Sequence, residues 1–467
     1  IVGLAREGTA LARYLTDRGA HVTVTDVKQA AELTGCLSVL NGRPIEYALG
    51  GHPLGLLDPT DIVYVSPGVP LEIPLLLEAR NRRVPMSTET RLFANRCPAP
   101  IIAVTGSSGK TTTTALVGAI LEAAGRKVWV GGNIGVPLLG HLEEIGCCDA
   151  VVMELSSFQL EFFAPSSAGE SARGLEGVYS QEGWSPSIAG LLNITPNHLD
   201  RHASMAAYID AKTQIVASQS KDDVAILGLD NEVTRRIGEA PGTESEIHWF
   251  SMEQPVREGA FLSGDRLILR SGGAEHVVCR TGDLRLIGRH NVENTLAAFA
   301  LAGVVGAPTG AMLEVATSFA GVEHRLELLG ERDGVRWYND SIATTPERTV
   351  AALRAFQTPI VLLAGGRDKY LPWTEMATLT WDKVRHLILF GEAADLIEAE
   401  MHKTRPHADA VCQMDKVGTL EQAVEMAARS ACPGDTVLLS PGGTSYDAFD
   451  DFVERGRRFR QLFQGLE

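Results

Sequence analysis

A short glycine-rich loop between an apolar segment and a helix-forming segment constrains this chain most strongly. Residues 101–105 read IIAVT, the loop GSSGKT follows at 106–111, and a run rich in threonine, alanine and leucine comes next. An apolar strand, a Gly-rich turn and a helix start are typical of a loop that holds phosphate oxygens on backbone N–H groups. The pattern therefore predicts an α/β domain with a parallel sheet and a nucleotide site.

The loop is shorter than the usual P-loop. In G-x-x-x-x-G-K-[ST] the first glycine would fall on Val104, and Gly106 comes two residues later. Lys110 would place its charge on the β- and γ-phosphates, and the Thr111 hydroxyl would be a Mg²⁺ ligand. The residues predicted to bind ATP in this segment are Gly106, Ser108, Gly109, Lys110, Thr111 and Thr112.

Length and charge exclude several classes of protein. A chain of 467 residues predicts two to four domains, and its net charge of −16 argues against a nucleic-acid partner. We expect no membrane partner, because no apolar run approaches the roughly 20 residues of a membrane span. The seven cysteines are scattered without a CxxC pair, which suits a reducing cytoplasm.

Three regions alternate strand and helix patterns. The pattern predicts a Rossmann-like domain at 1–97, a P-loop-type central ATPase domain at 98–306 and a Rossmann-like C-terminal domain at 307–467. The polar segment 165–187 is rich in glycine and serine and predicts a long surface loop.

Polar residues follow two further apolar strands of the central domain. The segment VVMELSSFQLE places Glu154 at the end of one strand, and LLNITPNHLDRH places Asn193, His198 and Asp200 after another. Parallel sheets present ligand groups at these carboxyl ends. A carboxylate and an imidazole near a triphosphate are candidate metal ligands.

Motifs along the whole chain resemble those of the Mur ligase family, in the family's order. They are TGSSGKT, GGNIG, ELSSFQLE, NITPNHLDRH, GRHNVENTLAA, EHR, NDSIATTP and SPGGTSYDAF. The resemblance is strongest to the members that add D-glutamate to UDP-N-acetylmuramoyl-L-alanine. It implies a cytoplasmic, monomeric, ATP- and Mg²⁺-dependent ligase of peptidoglycan synthesis that works through an acyl phosphate.

The resemblance also implies roles for individual residues. Lys110, Lys212 and His198 would be catalytic, and Lys212 would be carbamylated. Thr111, Glu154, His198 and Lys212 would hold Mg²⁺, and Asn291, Asn294, Arg325 and Asp340 would lie by ATP. The UDP-substrate residues would be Arg6, Glu7, Asp26, Ser66, Gly68 and Asn133. The amino-acid residues would be Thr344, Lys369, Ser445 and Phe452.

Two departures and several alternatives accompany this interpretation. Ala5 occupies the position of the middle glycine of G-x-G-x-x-G, and its side chain disfavours NAD(P) because it hinders the close approach of the pyrophosphate. Ile342 occupies the position at which the related motif NDSKATN has lysine. The alternatives are another Mur-family ligase that adds L-alanine, a diamino acid or a dipeptide, a folylpolyglutamate synthetase relative, and a P-loop nucleotide-driven binding protein. The Rossmann-like first domain argues against the synthetase.

Overall fold

The computed structural model has the mixed α/β architecture that the sequence predicts. It describes residues 1–134, 137–165, 175, 178–196, 202, 204–241, 243–286, 288–368, 371–406 and 412–466. The chain divides into two compact units, Ile1–Phe319 and Ala320–Glu467. Among the described residues, none of the helices has the length and apolar character needed to cross a membrane.

The amino-terminal part of the first unit is a small, parallel, Rossmann-like sheet. Its strands are β1 (Val22–Asp26), β2 (Ile45–Leu49), β3 (Val63–Tyr64) and β4 (Met86–Ser87), and its helices are α1 (Arg6–Thr16), α2 (Thr34–Val39), α3 (Pro74–Asn81) and α4 (Glu89–Arg96). The predicted first strand, IVGL, contributes a single residue to this sheet. Val2 forms parallel bridges to both Thr25 and Val65 and so joins the β1–β2 pair to the β3–β4 pair.

Two glycines allow α1 to begin directly on this sheet. Gly3 has φ +94°, in the left-handed region that favours glycine. A Cβ atom on Gly8 would lie 2.2 Å from the carbonyl oxygen of Gly3. The helix therefore packs backbone against backbone at its first turn.

The central part of the first unit is one sheet of nine described strands. Their order is β13-β12-β11-β10-β9-β8-β5-β7-β6. The seven strands from β11 to β6 in this order are parallel, and the β11–β12 and β12–β13 pairs are antiparallel. The strands are β5 (Ile101–Thr105), β6 (Val128–Gly132), β7 (Ala150–Glu154), β8 (Ile188–Leu191), β9 (Val224–Gly228), β10 (Glu246–Ser251), β11 (Gly259–Ser263), β12 (Arg266–Ser271) and β13 (Ala274–Arg280). The helices are α5 (Lys110–Ala123), α6 (Ser157–Leu160), α7 (Met205–Ala217), α8 (Glu232–Gly238), α9 (Arg289–Val304) and α10 (Thr309–Ser318).

Strand β5 is the point where the strand order reverses. The chain adds β6 and β7 on one side of β5 and then β8 and β9 on the other. Parallel α/β sheets bind ligands in the crevice at such a switch point. Alternate residues of β5 belong to two separate apolar clusters, with Ile101 and Ala103 in one and Ile102 and Val104 in the other. The strand is therefore buried on both faces, as its unbroken apolar sequence indicates.

The second unit is a sheet of six described strands in the order β14-β15-β19-β16-β17-β18, parallel except for β14. The strands are β14 (Glu327–Arg332), β15 (Val335–Asn339), β16 (Ile360–Gly365), β17 (Val384–Phe390), β18 (Gln413–Lys416) and β19 (Thr436–Gly442). The helices are α11 (Pro346–Ala355), α12 (Thr374–Lys383), α13 (Ala394–Lys403), α14 (Leu420–Ser430) and α15 (Phe452–Gln464).

The division between the units falls after α10, later than the boundary predicted at 306/307. Buried Met312 and Val315 of α10 belong to the same apolar cluster as Leu116 and Val117 of α5, so this helix belongs to the first unit. The three ranges 1–97, 98–306 and 307–467 stay predictions as domain boundaries.

The segment predicted as a surface loop at 165–187 is anchored in its described part. The Tyr64 hydroxyl donates to the Val178 carbonyl at 2.7 Å, and Arg91 Nη2 donates to the Glu182 carbonyl at 2.5 Å. The Trp184 ring packs on Phe163 with 5.1 Å between the ring centroids. Residues 178–184 therefore pack against the rest of the first unit and do not project into solvent as an isolated loop.

We predict that Gly8→Ala destabilises the first unit by about 1–3 kcal/mol, because the added methyl group must push α1 away from Gly3. The measurement is the free energy of unfolding in urea. Gly35→Ala is the matched control, since Gly35 also lies in a helix and a Cβ atom there meets nothing within 4 Å. Equal stability of Gly8→Ala and the wild type would contradict the close packing.

Candidate active site

The predicted P-loop lies at the carboxyl end of β5 and leads directly into α5. Gly109 precedes the helix with φ +82°. A Cβ atom on Gly109 would lie 2.2 Å from Asn294 Oδ1, so both the backbone angle and the space require glycine. Asn294 also donates to Asn291 Oδ1 at 3.2 Å. The structure thus places these two predicted ATP residues beside the loop.

Asn193 shapes the loop from the end of β8. Its carbonyl accepts from the Ser107 N–H at 2.8 Å, and its Oδ1 accepts from the Ser108 N–H at 2.9 Å. The Ser107 hydroxyl donates to the Thr195 carbonyl at 3.0 Å and lies 3.0 Å from the Tyr208 hydroxyl. The shortened loop is therefore fixed by the strand beside it.

Two lysine side chains converge on one carbonyl oxygen of the loop. Lys110 Nζ donates to the Gly106 carbonyl at 2.8 Å, and Lys212 Nζ donates to the same oxygen at 2.9 Å. Lys212 Nζ also lies 3.3 Å from Thr105 Oγ1. The Lys110 ammonium group at the N-terminus of α5 makes a positive centre that suits phosphate oxygens.

Lys212 differs from Lys110 in its burial. It projects from α7 and is 1% exposed. Burial, reinforced by the charge of Lys110, lowers the pKa of Lys212 well below its usual value, and Glu154 acts in the opposite direction. A buried lysine of this kind has more of its neutral, nucleophilic form than a solvated one.

Glu154 supplies a buried carboxylate at the end of β7. It is 2% exposed, and its Oε1 accepts from Asn133 Nδ2 at 2.7 Å. Its Oε2 is buried and has no hydrogen-bond partner among the residues that the structure describes. Hard oxygen ligands of this kind suit Mg²⁺, so an unpaired buried carboxylate oxygen beside a phosphate site fits the predicted metal.

The predicted metal set is only partly described. Thr111 lies in the first turn of α5 and is buried, whereas His198 and Asp200 lie outside the described residues. Within the described ranges, no group of three or more His, Cys, Asp and Glu side chains is arranged to hold a metal ion. Glu154, Thr111 and Lys212 are the predicted ligands that the structure locates.

Five of the six predicted UDP-substrate residues lie at the carboxyl edge of the small sheet, and the sixth, Asn133, follows β6 of the central sheet. Asp26 ends β1, and its two carboxylate oxygens accept from the Leu4 N–H at 2.7 Å and the Lys28 N–H at 2.9 Å. The Ser66 hydroxyl donates to the Gly3 carbonyl at 2.8 Å. Arg6 and Glu7 begin α1, Gly68 lies in the turn after Ser66, and their substrate contacts stay predictions.

Two buried carboxyl groups, Glu7 and Glu89, line one recess with Ser66. Burial raises the pKa of Glu7 to about 7, against the nearby charge of Arg6. Burial, and then the charge of Glu7, raises the pKa of Glu89 to about 8. The family resemblance implies a substrate role for Glu7, whereas nothing in the sequence pattern singles out Glu89.

The two carboxyl groups join the small sheet to the central part of the unit. Gln159 Nε2 donates to Glu7 Oε1 at 3.1 Å and to Thr90 Oγ1 at 2.9 Å. Glu89 Oε1 accepts from the Leu139 N–H at 3.3 Å. Gln159 of the ELSSFQLE motif thus connects the two parts of the unit.

The remaining predicted residues belong to the second unit. Burial raises the pKa of Asp340 to about 6, and its carboxylate accepts from the Ser440 hydroxyl at 2.8 Å and the Leu326 N–H at 3.1 Å. Ser445 is buried, Thr344 is half-buried, and Phe452 begins α15. Arg325 lies in the second unit with Asp340, and Lys369 lies outside the described residues.

A P-loop at the switch point of a parallel sheet, with two lysines and a buried carboxylate around it, defines a nucleotide-dependent enzyme. Three family models match the chain: the Mur ligase MurD-like N-terminal domain over 1–88, the Mur ligase middle domain over 104–302, and the Mur ligase glutamate ligase domain over 324–443. The chain belongs to the Mur ligase family.

Curated relatives match the chain along its whole length. It is 42% identical to a UDP-N-acetylmuramoylalanine–D-glutamate ligase of Symbiobacterium thermophilum, with 100% of this chain and 97% of the relative covered. It is 39% identical to the enzyme of the same name from Acetivibrio thermocellus, with 100% and 96% covered.

Solved structures share the fold. The UDP-N-acetylmuramate-alanine ligase of Thermotoga maritima matches 99% of this chain and 98% of its own, with TM-score 0.59 and 20% identity. MurF of Acinetobacter baumannii matches 80% of this chain and 79% of its own, with TM-score 0.55 and 19% identity. The predicted family and three-domain fold class are confirmed.

We predict that Glu89→Gln makes the protein relatively more stable as pH rises. The fold favours the protonated carboxyl, so its stabilising contribution is complete below the ordinary pKa of 4.5 and is lost as pH rises through about 8. The difference in unfolding free energy, variant minus wild type, should therefore be larger at about pH 9 than at about pH 5. Glu122→Gln, at an exposed position of α5, is the control. An equal difference at both pH values would argue against the buried protonated carboxyl.

Proposed function

We propose that the protein is an ATP-dependent ligase that joins D-glutamate to the carboxyl group of UDP-N-acetylmuramoyl-L-alanine in peptidoglycan precursor synthesis. The full-length relatives that carry this name support the choice of substrates. The observation that supports an ATP-dependent reaction at this site is the convergence of Lys110 and Lys212 on the Gly106 carbonyl, beside the buried carboxylate of Glu154.

The reaction is a phosphoryl transfer followed by an acyl transfer. A carboxylate oxygen of the UDP substrate attacks the γ-phosphorus of ATP, ADP leaves, and an acyl phosphate forms. The neutral amine of D-glutamate then attacks the acyl carbon, the C–O bond to phosphate breaks, and a proton leaves the nitrogen. Both steps develop charge on phosphoryl and carbonyl oxygens, which the loop N–H groups and Lys110 stabilise.

The residues for Mg²⁺ are Thr111, Glu154, His198 and Lys212. When bound, the metal would neutralise phosphate charge during the transfer. An ammonium group at Lys212 would repel the metal, whereas its neutral amine can add to CO₂, lose a proton and become a carbamate. The burial of Lys212 and the charge of Lys110 support this assignment, because both favour the neutral amine.

The substrate contacts follow the same assignment. The UDP-substrate residues are Arg6, Glu7, Asp26, Ser66, Gly68 and Asn133, and the amino-acid residues are Thr344, Lys369, Ser445 and Phe452. The two carboxylates of D-glutamate call for cations and hydroxyl donors, which Lys369, Thr344 and Ser445 provide. A monomeric state and a cytoplasmic location complete the proposal.

An amino-acid panel tests the proposed reaction. With ATP, Mg²⁺ and UDP-N-acetylmuramoyl-L-alanine, we expect phosphate release with D-glutamate and far less with L-glutamate, D-aspartate, L-alanine or a diamino acid. Omission of the UDP substrate or of the amino acid should abolish release. Preference for L-alanine or a diamino acid would indicate another ligase of the family. Release that is independent of the amino acid would indicate a nucleotide-driven binding protein.

Lys212→Ala should be nearly inactive and be partly rescued by added short-chain carboxylic acids, because these can occupy the space of the carbamate. Phosphate release with and without acetate or propionate is the measurement. Lys221→Ala, at an exposed position after α7, is the control. Full activity of Lys212→Ala would refute the assignment.

A further inference from the structure

A fully buried arginine lies behind the loops at the carboxyl end of the six-stranded sheet. Arg455 belongs to the first turn of α15 and is 0% exposed. Its Nε donates to Ser341 Oγ at 3.0 Å, and its Nη2 donates to the Ser341 carbonyl at 2.9 Å. Nη1 and Nη2 both donate to the Gly443 carbonyl at 3.2 Å. These bonds join the loop after β15 to the loop after β19.

The same loops are joined by backbone hydrogen bonds around the arginine. The Gly442 N–H donates to the Ala343 carbonyl at 2.9 Å. Arg367 and Thr444 exchange two backbone bonds, at 2.9 and 2.8 Å. Because β15, β19 and β16 are neighbours in the sheet, the three loops form one connected surface with Arg455 beneath it.

The charge of Arg455 is held mainly by hydrogen bonds to backbone and hydroxyl oxygens. These bonds go to Ser341 and Gly443, and the carboxylates of Asp447 and Asp340 also act on the charge. Burial lowers the pKa of Arg455 to about 10, against the charges of Asp447 and Asp340, so the guanidinium stays protonated at neutral pH. A buried charge is unfavourable for folding unless it is hydrogen-bonded, and here the bonds that satisfy it are the ones that hold the two loops.

We propose that Arg455 is a positioning residue for the amino-acid substrate. Its guanidinium fixes the backbone of the 341–344 and 443–445 loops and thereby sets the spacing of the Thr344 and Ser445 hydroxyls. The inference rests on the proposed function, because it takes these two hydroxyls as contacts to D-glutamate.

The geometry requires the arginine fork and not only a positive charge. The planar guanidinium donates in different directions to Ser341 and Gly443, whereas a lysine ammonium is a point charge on a flexible stem. Arg455→Lys should therefore keep the charge but lose the bridge between the loops, and Arg455→Met should lose both.

Steady-state kinetics of these variants tests the proposal. We expect the KM for D-glutamate to rise by about tenfold or more in Arg455→Met and by a smaller factor in Arg455→Lys, since charged hydrogen bonds are lost. The KM for the UDP substrate should stay near the wild-type value. Arg385→Met is the matched control. Arg385 pairs with Asp435 at 2.6 Å and lies at the amino end of β17, whereas the loops that Arg455 joins lie at the carboxyl ends of the strands of the same sheet.

Hydrogen exchange of the ligand-free proteins provides a second measurement. Peptides covering 339–345 and 440–446 should exchange faster in both Arg455 variants, with the rest of the second unit unchanged. Unchanged exchange of these loops, an unchanged KM for D-glutamate, or a uniform rise across the unit would overturn the proposal. If Arg455→Met does not fold, Arg455→Lys decides by the same criteria.

The two proposals fail in different experiments. A wild-type protein that does not use D-glutamate overturns the proposed function. The exchange of the loops, which needs no substrate, then still tests whether Arg455 fixes them.

Discussion

The carbonyl oxygen of Gly106 accepts from the amino groups of two lysines, and the organisation of the candidate active site depends on this shared acceptor. Lys110 lies in the first turn of α5 and Lys212 lies on α7, so one backbone atom sets the positions of amino groups from two helices. Two ammonium groups this close would repel each other, and the burial of Lys212 adds to this effect, so its pKa is lowered and its neutral amine is favoured. The shared acceptor therefore gives the two lysines different charges and different roles.

Both units use the same property of parallel sheets, in which polar groups at the carboxyl ends of neighbouring strands come together. In the first unit these ends carry the loop, Glu154 and Asn193. In the second they carry the loops that Arg455 joins. Glu89 and Arg455 are buried side chains in the first turns of α4 and α15, where each holds segments of chain and does not face solvent.

The sequence predicts the fold class, the family and the nucleotide loop, because strand–loop–helix patterns and motifs are local features. It does not predict Glu89 or Arg455, whose roles come from contacts with residues distant in the chain. Arg455 reaches Ser341 across 114 positions, and nothing in the pattern of α15 distinguishes it from an exposed arginine. The packing of residues 178–184 is missed for the same reason, since a polar, glycine-rich segment carries no sign of the partners that anchor it.

The hydrogen bonds from Asn193 to the loop have a consequence for the order of folding. Ser108 and Asn193 lie 85 positions apart, so the loop acquires its shape only after β8 has joined the sheet beside β5. Pairings between distant strands form late, because the entropy of closing the intervening chain is lost before the contacts form. A nascent chain that has emerged only through α5 therefore has the complete loop sequence but not a competent nucleotide site. Affinity for ATP becomes a property of the nearly finished domain, so a nucleotide can stabilise the folded protein without trapping its early intermediates.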